Sequence, residues 1–253
     1  MPSDRAAEAL IDDLGIVAPE AIDLDAIALT LGVTVRRGLL TGCEAFLVGH
    51  GERAVVVVNE RGLPERQRFS IAHELGHWHH HRGQGLYCLS GDIESNRLAA
   101  RESEQIADHY ASSLLMPSAL FAPIAFAAPP TWKHVRAVAR QFACSLSATA
   151  RRMAELSPTP LVFVVGLQGR RHWFHRGPAA SQEAWFPNEE LAPDSRAFEL
   201  SFRDAPLAGR PVRVRASAWF DGKAFERGHE LMEEVIRVNE SAYVLLSPAG
   251  RLL

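Results

Sequence analysis

In the stretch Phe69-Ser70-Ile71-Ala72-His73-Glu74-Leu75-Gly76-His77-Trp78, two histidines stand four residues apart, and a glutamate directly follows the first. On a helix, residues at that spacing lie one above the other on one face, so His73 and His77 can offer two imidazoles to a single metal ion. Glu74, one step round, would lie beside that metal and could take a proton from its bound water, which is the zinc-hydrolase arrangement. Local signals favour a helix here. Pro64 suits a first helical position, Glu65 puts negative charge in the first turn, and Ile71, Leu75 and Trp78 form an apolar flank at three-to-four spacing.

Such a site needs a third ligand. His81 shares the face of His73 and His77, but eight residues of helix span about 12 Å, too far for one metal with bonds of about 2 Å. The pattern with Gly three residues after the second His, and His three further on, also fails: His80 and Gly83 occupy those places. His79, His80 and His81 read as a solvated helix end, where partly charged imidazole suits the helix dipole; a transient second metal site is the alternative. The segment from about Ser95 to Leu115 is a better source. It has no Gly or Pro inside and stops at Met116-Pro117. Glu104 and Asp108 sit four apart on one of its faces. A Glu from a second helix completes a zinc site of two His and one Glu and leaves the fourth position to water. Asp108, one turn on, could accept the free ring N–H of a ligand histidine and fix its tautomer. Glu102 faces nearly the opposite side, and Asp92 and Glu94 lie in the loop around Gly91. The plainer alternative is that Glu104 and Asp108 form only a solvated acidic face.

Taken together, LPERQRFSIAHELGHW and the later ESEQIADHYASSLLMP resemble the ImmA/IrrE family of metallopeptidases. The shared signatures are the Arg-Gln-Arg-Phe run leading into His-Glu-x-x-His, and Glu-x-x-x-Asp/Asn before a small-residue stretch ending Leu-Leu-Met-Pro. The resemblance covers about residues 4–156. It implies that His73, His77 and Glu104 are metal ligands and Glu74 the catalytic base. Asp108 stands where many members have Asn, and Ile106 departs from a Glu often seen before the Ala. The implied metal is zinc, with manganese an alternative. The implied reaction is peptide-bond hydrolysis: zinc lowers the pKa of its water towards about 7, and Glu74 takes the proton and passes it to the leaving amine. The implied substrate is a cytoplasmic helix-turn-helix repressor, removed in a stress response or in mobile-element induction. One rival is a DNA- or protein-binding regulator with a structural or vestigial metal site, but a structural site has no use for Glu74. Another is a hydrolase of small amides. Tyr87, His109 and Tyr110 are candidates for stabilising the oxyanion.

Composition sets outer bounds. The 253 residues are enough for one catalytic and one smaller domain, and 47% hydrophobic with 23% charged residues is ordinary for a globular chain. A net charge of −3 argues against a polyanion-binding surface overall. The charged N-terminus lacks the apolar core of a signal peptide, and no apolar run is long enough for a membrane span. Cys43, Cys88 and Cys144 are odd in number and widely spaced, which suits a reducing compartment. A cytoplasmic location without membrane partners is expected.

In order, residues 4–14 and Leu24 to Leu31 read as helices, and Val33-Thr34-Val35 as a short strand. Residues 44–48 and 53–58 read as strands joined by a hairpin at His50-Gly51. This sheet is expected to hold an extended peptide by strand addition or merely to pack on the metal helix. Pro117 to Phe126, Trp132 to Phe142 and Leu146 to Leu156 read as helices. The last two, within 131–156, have helix-turn-helix spacing and carry Lys133, Arg136, Arg140, Arg151 and Arg152. DNA contact and a helical pair completing the peptidase core both fit that pattern. Ser157-Pro158-Thr159-Pro160 reads as a linker. Strands are expected at 161–167, 171–175, 198–202, 212–215 and 243–246, with Trp173, Trp185, Trp219 and Phe220 filling a small core. The expected fold is therefore α+β. A mainly helical zinc-peptidase domain with a small sheet spans 1–156, and a smaller β-rich sensor or docking domain spans 159–253.

Overall fold

The computed structural model describes residues 2–81, 97–180, 185–202, 210–221, 225 and 228–250. Asp92, Glu94, Tyr87 and Cys88 lie outside the described residues. The chain is α+β and packs into two compact units. The first holds residues 1–121 and 139–145, the second 122–138 and 146–253.

In the first unit, α1 (Pro2–Asp13) and α2 (Leu24–Thr30) precede a three-stranded sheet of β1 (Val33–Gly38), β2 (Ala45–His50) and β3 (Arg53–Asn59). The Asp23 carboxylate accepts the backbone N–H groups of Asp25 and Ala26, so α2 starts where its first turn finds an acceptor. The hairpin turns at Gly51, whose φ of +58° lies in the left-handed region open to glycine. β3 runs antiparallel to β2 and parallel to β1 in the order β1-β3-β2. The strand that feeds the histidine helix is thus central, and the edges are β1 and β2. Val56 and Val58 of β3 and Leu47 of β2 are buried. Each follows the two-residue period of a half-buried strand.

Two long helices carry the histidines and the second-helix carboxylates. α3 runs Pro64–His81, starting at the expected proline, and α4 runs Arg97–Leu115. Ile71, Leu75 and Trp78 of α3 are buried, as are Ala107, Tyr110, Ala111 and Leu114 of α4. Trp78 donates its indole N–H to the Leu31 carbonyl at 2.9 Å. Gly49 of β2 lies so close to Trp78 that a Cβ there would stand 2.4 Å from its ring. The small residue lets the sheet settle on α3. α5 (Ser118–Ala125) begins where the Glu8 carboxylate accepts the Ser118 N–H.

The second unit contains α6 (Trp132–Gln141) up to Val138, α7 (Leu146–Leu156), and a sheet of β4 (Val162–Leu167), β5 (Arg170–Arg176), β6 (Val212–Arg215), β7 (Glu230–Val238) and β8 (Ser241–Pro248). All its pairs are antiparallel, in the order β5-β4-β8-β7-β6. α6 and α7 group with this sheet, whereas the sequence places them in the domain ending at residue 156. The physical reason lies in their buried faces. The Trp132 indole donates to the Glu234 carbonyl at 3.0 Å, and its ring meets Phe163 and Tyr243. Thr149, Ala150, Arg152, Met153 and Ala154 of α7 are buried. Gly177 passes so close to the Ala154 carbonyl that a Cβ would stand 1.9 Å from it. Ser157-Pro158-Thr159-Pro160 is thus a connection inside this unit.

One expected strand is a helix. Residues 198–202 lie in α8, Arg196–Phe202. The Ser195 hydroxyl accepts the Phe198 N–H, and the Glu233 carboxylate accepts the N–H groups of Arg196 and Ala197. The first turn is therefore capped twice, from its own chain and from β7. Ala197 and Leu200, one turn apart, are buried in the core with Trp185, Trp219 and Phe220. β7 goes unread in the sequence because its Glu-Leu-Met-Glu-Glu-Val-Ile-Arg-Val run breaks the apolar pattern with acids. Both interior acids are buried and hydrogen-bonded, Glu233 to α8 and Glu234 to the N–H of Trp132.

Candidate metal centre

α3 and α4 cross at their smallest residues. A Cβ on Gly76 would stand 3.0 Å from the Ala107 Cα and 3.1 Å from the Tyr110 Cβ. Glycine in a helix interior costs about 0.5–1 kcal/mol relative to alanine. Here it lets the backbone of α4 approach α3 closely, at the crossing where the Glu104 carboxylate reaches the histidines.

At that crossing, His73 Nε2, His77 Nε2 and Glu104 form a triangle. The two ring nitrogens are 3.0 Å apart, Glu104 Oε2 is 3.2 Å from His73 Nε2, and Glu104 Oε1 is 3.3 Å from His77 Nε2. A tetrahedral ion with bonds of about 2.0–2.1 Å holds adjacent ligand atoms about 3.3 Å apart. The His–His distance and the two His–carboxylate distances, made by different oxygens of Glu104, lie near that spacing. Among the described residues, this is the one cluster of three or more His, Cys, Asp or Glu whose ligating atoms converge in this way. His79 and His80 are turned elsewhere: the His79 ring stacks on Tyr110, and His80 meets the same ring edge-on.

Asp108 Oδ1 lies 3.0 Å from His73 Nδ1. With the proton on Nδ1, that nitrogen donates to the carboxylate and leaves the Nε2 lone pair facing Glu104 and His77. His77 Nδ1 has the Ser103 hydroxyl at 3.5 Å. Sequence reasoning missed Ser103; its only signal is its place next to Glu104 on the same helix.

Electrostatics describe a site built to hold positive charge. Burial disfavours the His73 imidazolium most, yet the hydrogen bonds with Asp108 and Glu104 outweigh it and raise His73 to about 9. The hydrogen bonds with His73, and then with His77, hold the Glu104 carboxyl well below the usual range. Glu74 is 6% exposed, and burial pushes its carboxyl up while charge on His77 and His73 pulls it down. Its Oε2 atom is buried with no hydrogen-bond partner among the described residues. An unpaired buried carboxylate oxygen is costly in a core and expected where a proton or a water is to be received. The donor set, the triangle and this orphaned acceptor all fit a zinc-type ion.

The oxyanion candidates on α4 separate by burial. Tyr110 is fully buried against Gly76, with its hydroxyl lacking a partner among the described residues and burial pushing it up to about 12. His109 is partly exposed. On α7, Arg152 is buried and paired with Glu155 at 3.2 Å, and the Arg151 guanidinium lies 4.6 Å above the Trp173 ring. Two of the five cations of the helix-turn-helix-like pair thus have partners inside the second unit. No described helix is long and apolar enough to cross a membrane.

Comparison with known proteins shows what the chain is similar to. Residues 29–154 match the family described as IrrE N-terminal-like domain. The radiation response metalloprotease IrrE of Deinococcus radiodurans is 28% identical over 185 residues, covering 72% of this chain and 55% of that protein. The protein of the same name in Deinococcus deserti is 28% identical over 162 residues, covering 64% of this chain and 54% of its own length. The chain therefore spans about half the length of the curated relatives it matches. A solved Mycobacterium tuberculosis transcriptional regulator shares the fold with a TM-score of 0.63 at 15% identity, covering 98% of this chain and 76% of that one.

Proposed function

The chain belongs to the ImmA/IrrE family of metallopeptidases, through the IrrE N-terminal-like domain at residues 29–154, and from that premise we infer that it is a zinc-dependent endopeptidase. The observation that carries this reading is the conjunction at the α3–α4 crossing. One ligating atom each from His73, His77 and Glu104 converge within 4.8 Å of one another, and beside them a buried Glu74 oxygen has no partner among the described residues.

His73, His77 and Glu104 would hold the ion, which when bound supplies a polarising charge and acidifies a water. Asp108 fixes the His73 tautomer so that Nε2 keeps its lone pair for the site. Glu74 accepts a proton at its free Oε2 and later delivers it to the leaving amine, with its buried setting raising its basicity for that task. An extended substrate segment would add to a sheet edge; β2 is the edge strand packed on α3 through Gly49 and Trp78. Manganese suits the same donors less selectively.

For substrate, the reading is a cytoplasmic helix-turn-helix repressor, cut in a stress response. The support is the family likeness and the radiation-response name carried by the Deinococcus relatives. The test is incubation of the purified full chain, with zinc or manganese, with a repressor encoded beside it, followed by mass analysis of products. One defined cut that a chelator abolishes is expected. An intact repressor under every metal condition would count against the assignment.

A further inference from the structure

We propose, resting on the reading of β2 as the substrate's edge, that the segment it takes is selected by apolar side chains at every second residue, received beside Phe46 and Val48. The two edges of the three-stranded sheet are unlike. β1 carries Arg36 and Arg37, both exposed, and such charges blunt a strand edge against further pairing. β2 reads Ala45-Phe46-Leu47-Val48-Gly49-His50, with no Lys, Arg, Asp, Glu or Pro to blunt it. Among the described residues, no backbone hydrogen bond of Ala45–His50 is made outside the β2–β3 pair. An apolar edge left open in this way invites another strand.

The ladder fixes which groups the incoming strand meets. The Asn59 N–H donates to the Glu44 carbonyl at 2.8 Å, which makes Glu44 and Asn59 a hydrogen-bonded pair. Such pairs alternate along an antiparallel ladder. By the register, Phe46–Val57 and Val48–Val55 are then hydrogen-bonded pairs too, and Ala45, Leu47 and Gly49 turn their N–H and C=O groups to the open edge. A strand added antiparallel there bonds to those three residues. It faces Phe46 and Val48 in non-hydrogen-bonded pairs, where side chains approach most closely. Phe46 and Val48 lie on the face opposite Leu47, which is buried with Val56 and Val58. Val48 is 43% exposed, and the cross-strand partners Val55 and Val57 are half-buried, so the surface beside the edge is apolar. β-branched or aromatic side chains at alternate positions of the incoming strand would extend that surface, and polar ones would leave it wet.

The experiment uses the full chain as its zinc-loaded Glu74→Gln form, so that a peptide is held and not cut, and reads fluorescence anisotropy. Two labelled peptides share one composition. One alternates Val with Gln; the other repeats Val-Val-Gln-Gln, so that residues two apart are never both Val. The alternating peptide should bind about two- to fivefold more tightly. Val48→Thr, which keeps the shape and adds a hydroxyl, should erase most of that preference. Ala45→Pro removes one N–H from the open edge at the first residue of the strand and should weaken both peptides about fivefold. Arg36→Gln, on the other edge, should change neither. Zinc content and melting show that each variant keeps its fold, and if Ala45→Pro does not, the peptide pair and Val48→Thr decide. Equal binding of the two peptides, or a preference untouched by Val48→Thr, overturns the proposal, as does binding that responds to Arg36→Gln and not to Ala45→Pro. The peptidase reading fails separately: a parent protein that shows this preference yet cuts neither peptide nor repressor refutes the hydrolase and leaves the selection at β2 standing, whereas cutting that ignores the pattern does the reverse.

Discussion

At the scale of single residues, the candidate centre is a set of unlike roles packed into a few ångströms. Among the described residues, Glu104 is the one carboxylate that meets both His73 and His77. Glu104→Ala should abolish stoichiometric zinc in the purified protein, whereas Glu102→Ala should leave it intact; the reverse result, read by elemental analysis, would refute the ligand set. Asp108 acts through His73. Asp108→Ala should lower zinc affinity or cleavage about 10- to 100-fold, and Asp108→Asn should recover much of that loss by still accepting the Nδ1 proton. Unchanged affinity and cleavage in both variants would remove the role. Most of this was legible in the sequence, because four-residue spacing on a helix is a local geometric fact and needs no tertiary knowledge. Ser103 was not legible: its approach to His77 Nδ1 depends on where α4 crosses α3.

Among the elements, that crossing decides whether the residues can meet. Gly76 admits α4 because the Ala107 backbone occupies the space a Cβ would need. On propensity alone, Gly76→Ala would stabilise α3 by about 0.5–1 kcal/mol. We expect the opposite: a loss of about 1–3 kcal/mol from overpacking, together with weaker zinc binding as Glu104 is carried away from the histidines. Thermal melts of the metal-free and zinc-loaded forms check this, and a variant that melts higher with zinc affinity intact would contradict it. β7 supplies a second case. Burial, opposed by the N–H groups of Arg196 and Ala197, pushes Glu233 up to about 7 from an ordinary 4.5, and burial raises Glu234 as well. A carboxyl raised in the folded state holds its proton while the unfolded chain releases it. Stability should therefore be greatest below about pH 4.5 as far as this group is concerned, and fall as pH rises towards about 7. Glu233→Gln should flatten that slope in urea titrations; an unaltered slope would show that Glu233 does not titrate there. α8 and β7 escaped sequence reading for one reason. A buried acid on one caps the other, and no window of local sequence contains both.

At the scale of the whole chain, two compact units replace a simple division at the proline-rich segment. The amphipathic pattern announced α6 and α7 and their limits, but an apolar face does not say which neighbour covers it. Here Trp132 and Ala154 lie against the elements of the second unit. The central claim is that the chain cuts a peptide bond with Glu74 moving the proton. The most direct measurement compares the parent and Glu74→Gln, both loaded with zinc and given the same repressor, by rate of cleavage. Gln keeps the size and removes the basicity. We predict equal zinc content, retained repressor binding, and cleavage slower by about 10²- to 10⁴-fold. A Gln variant that cuts at the parent's rate would contradict the account.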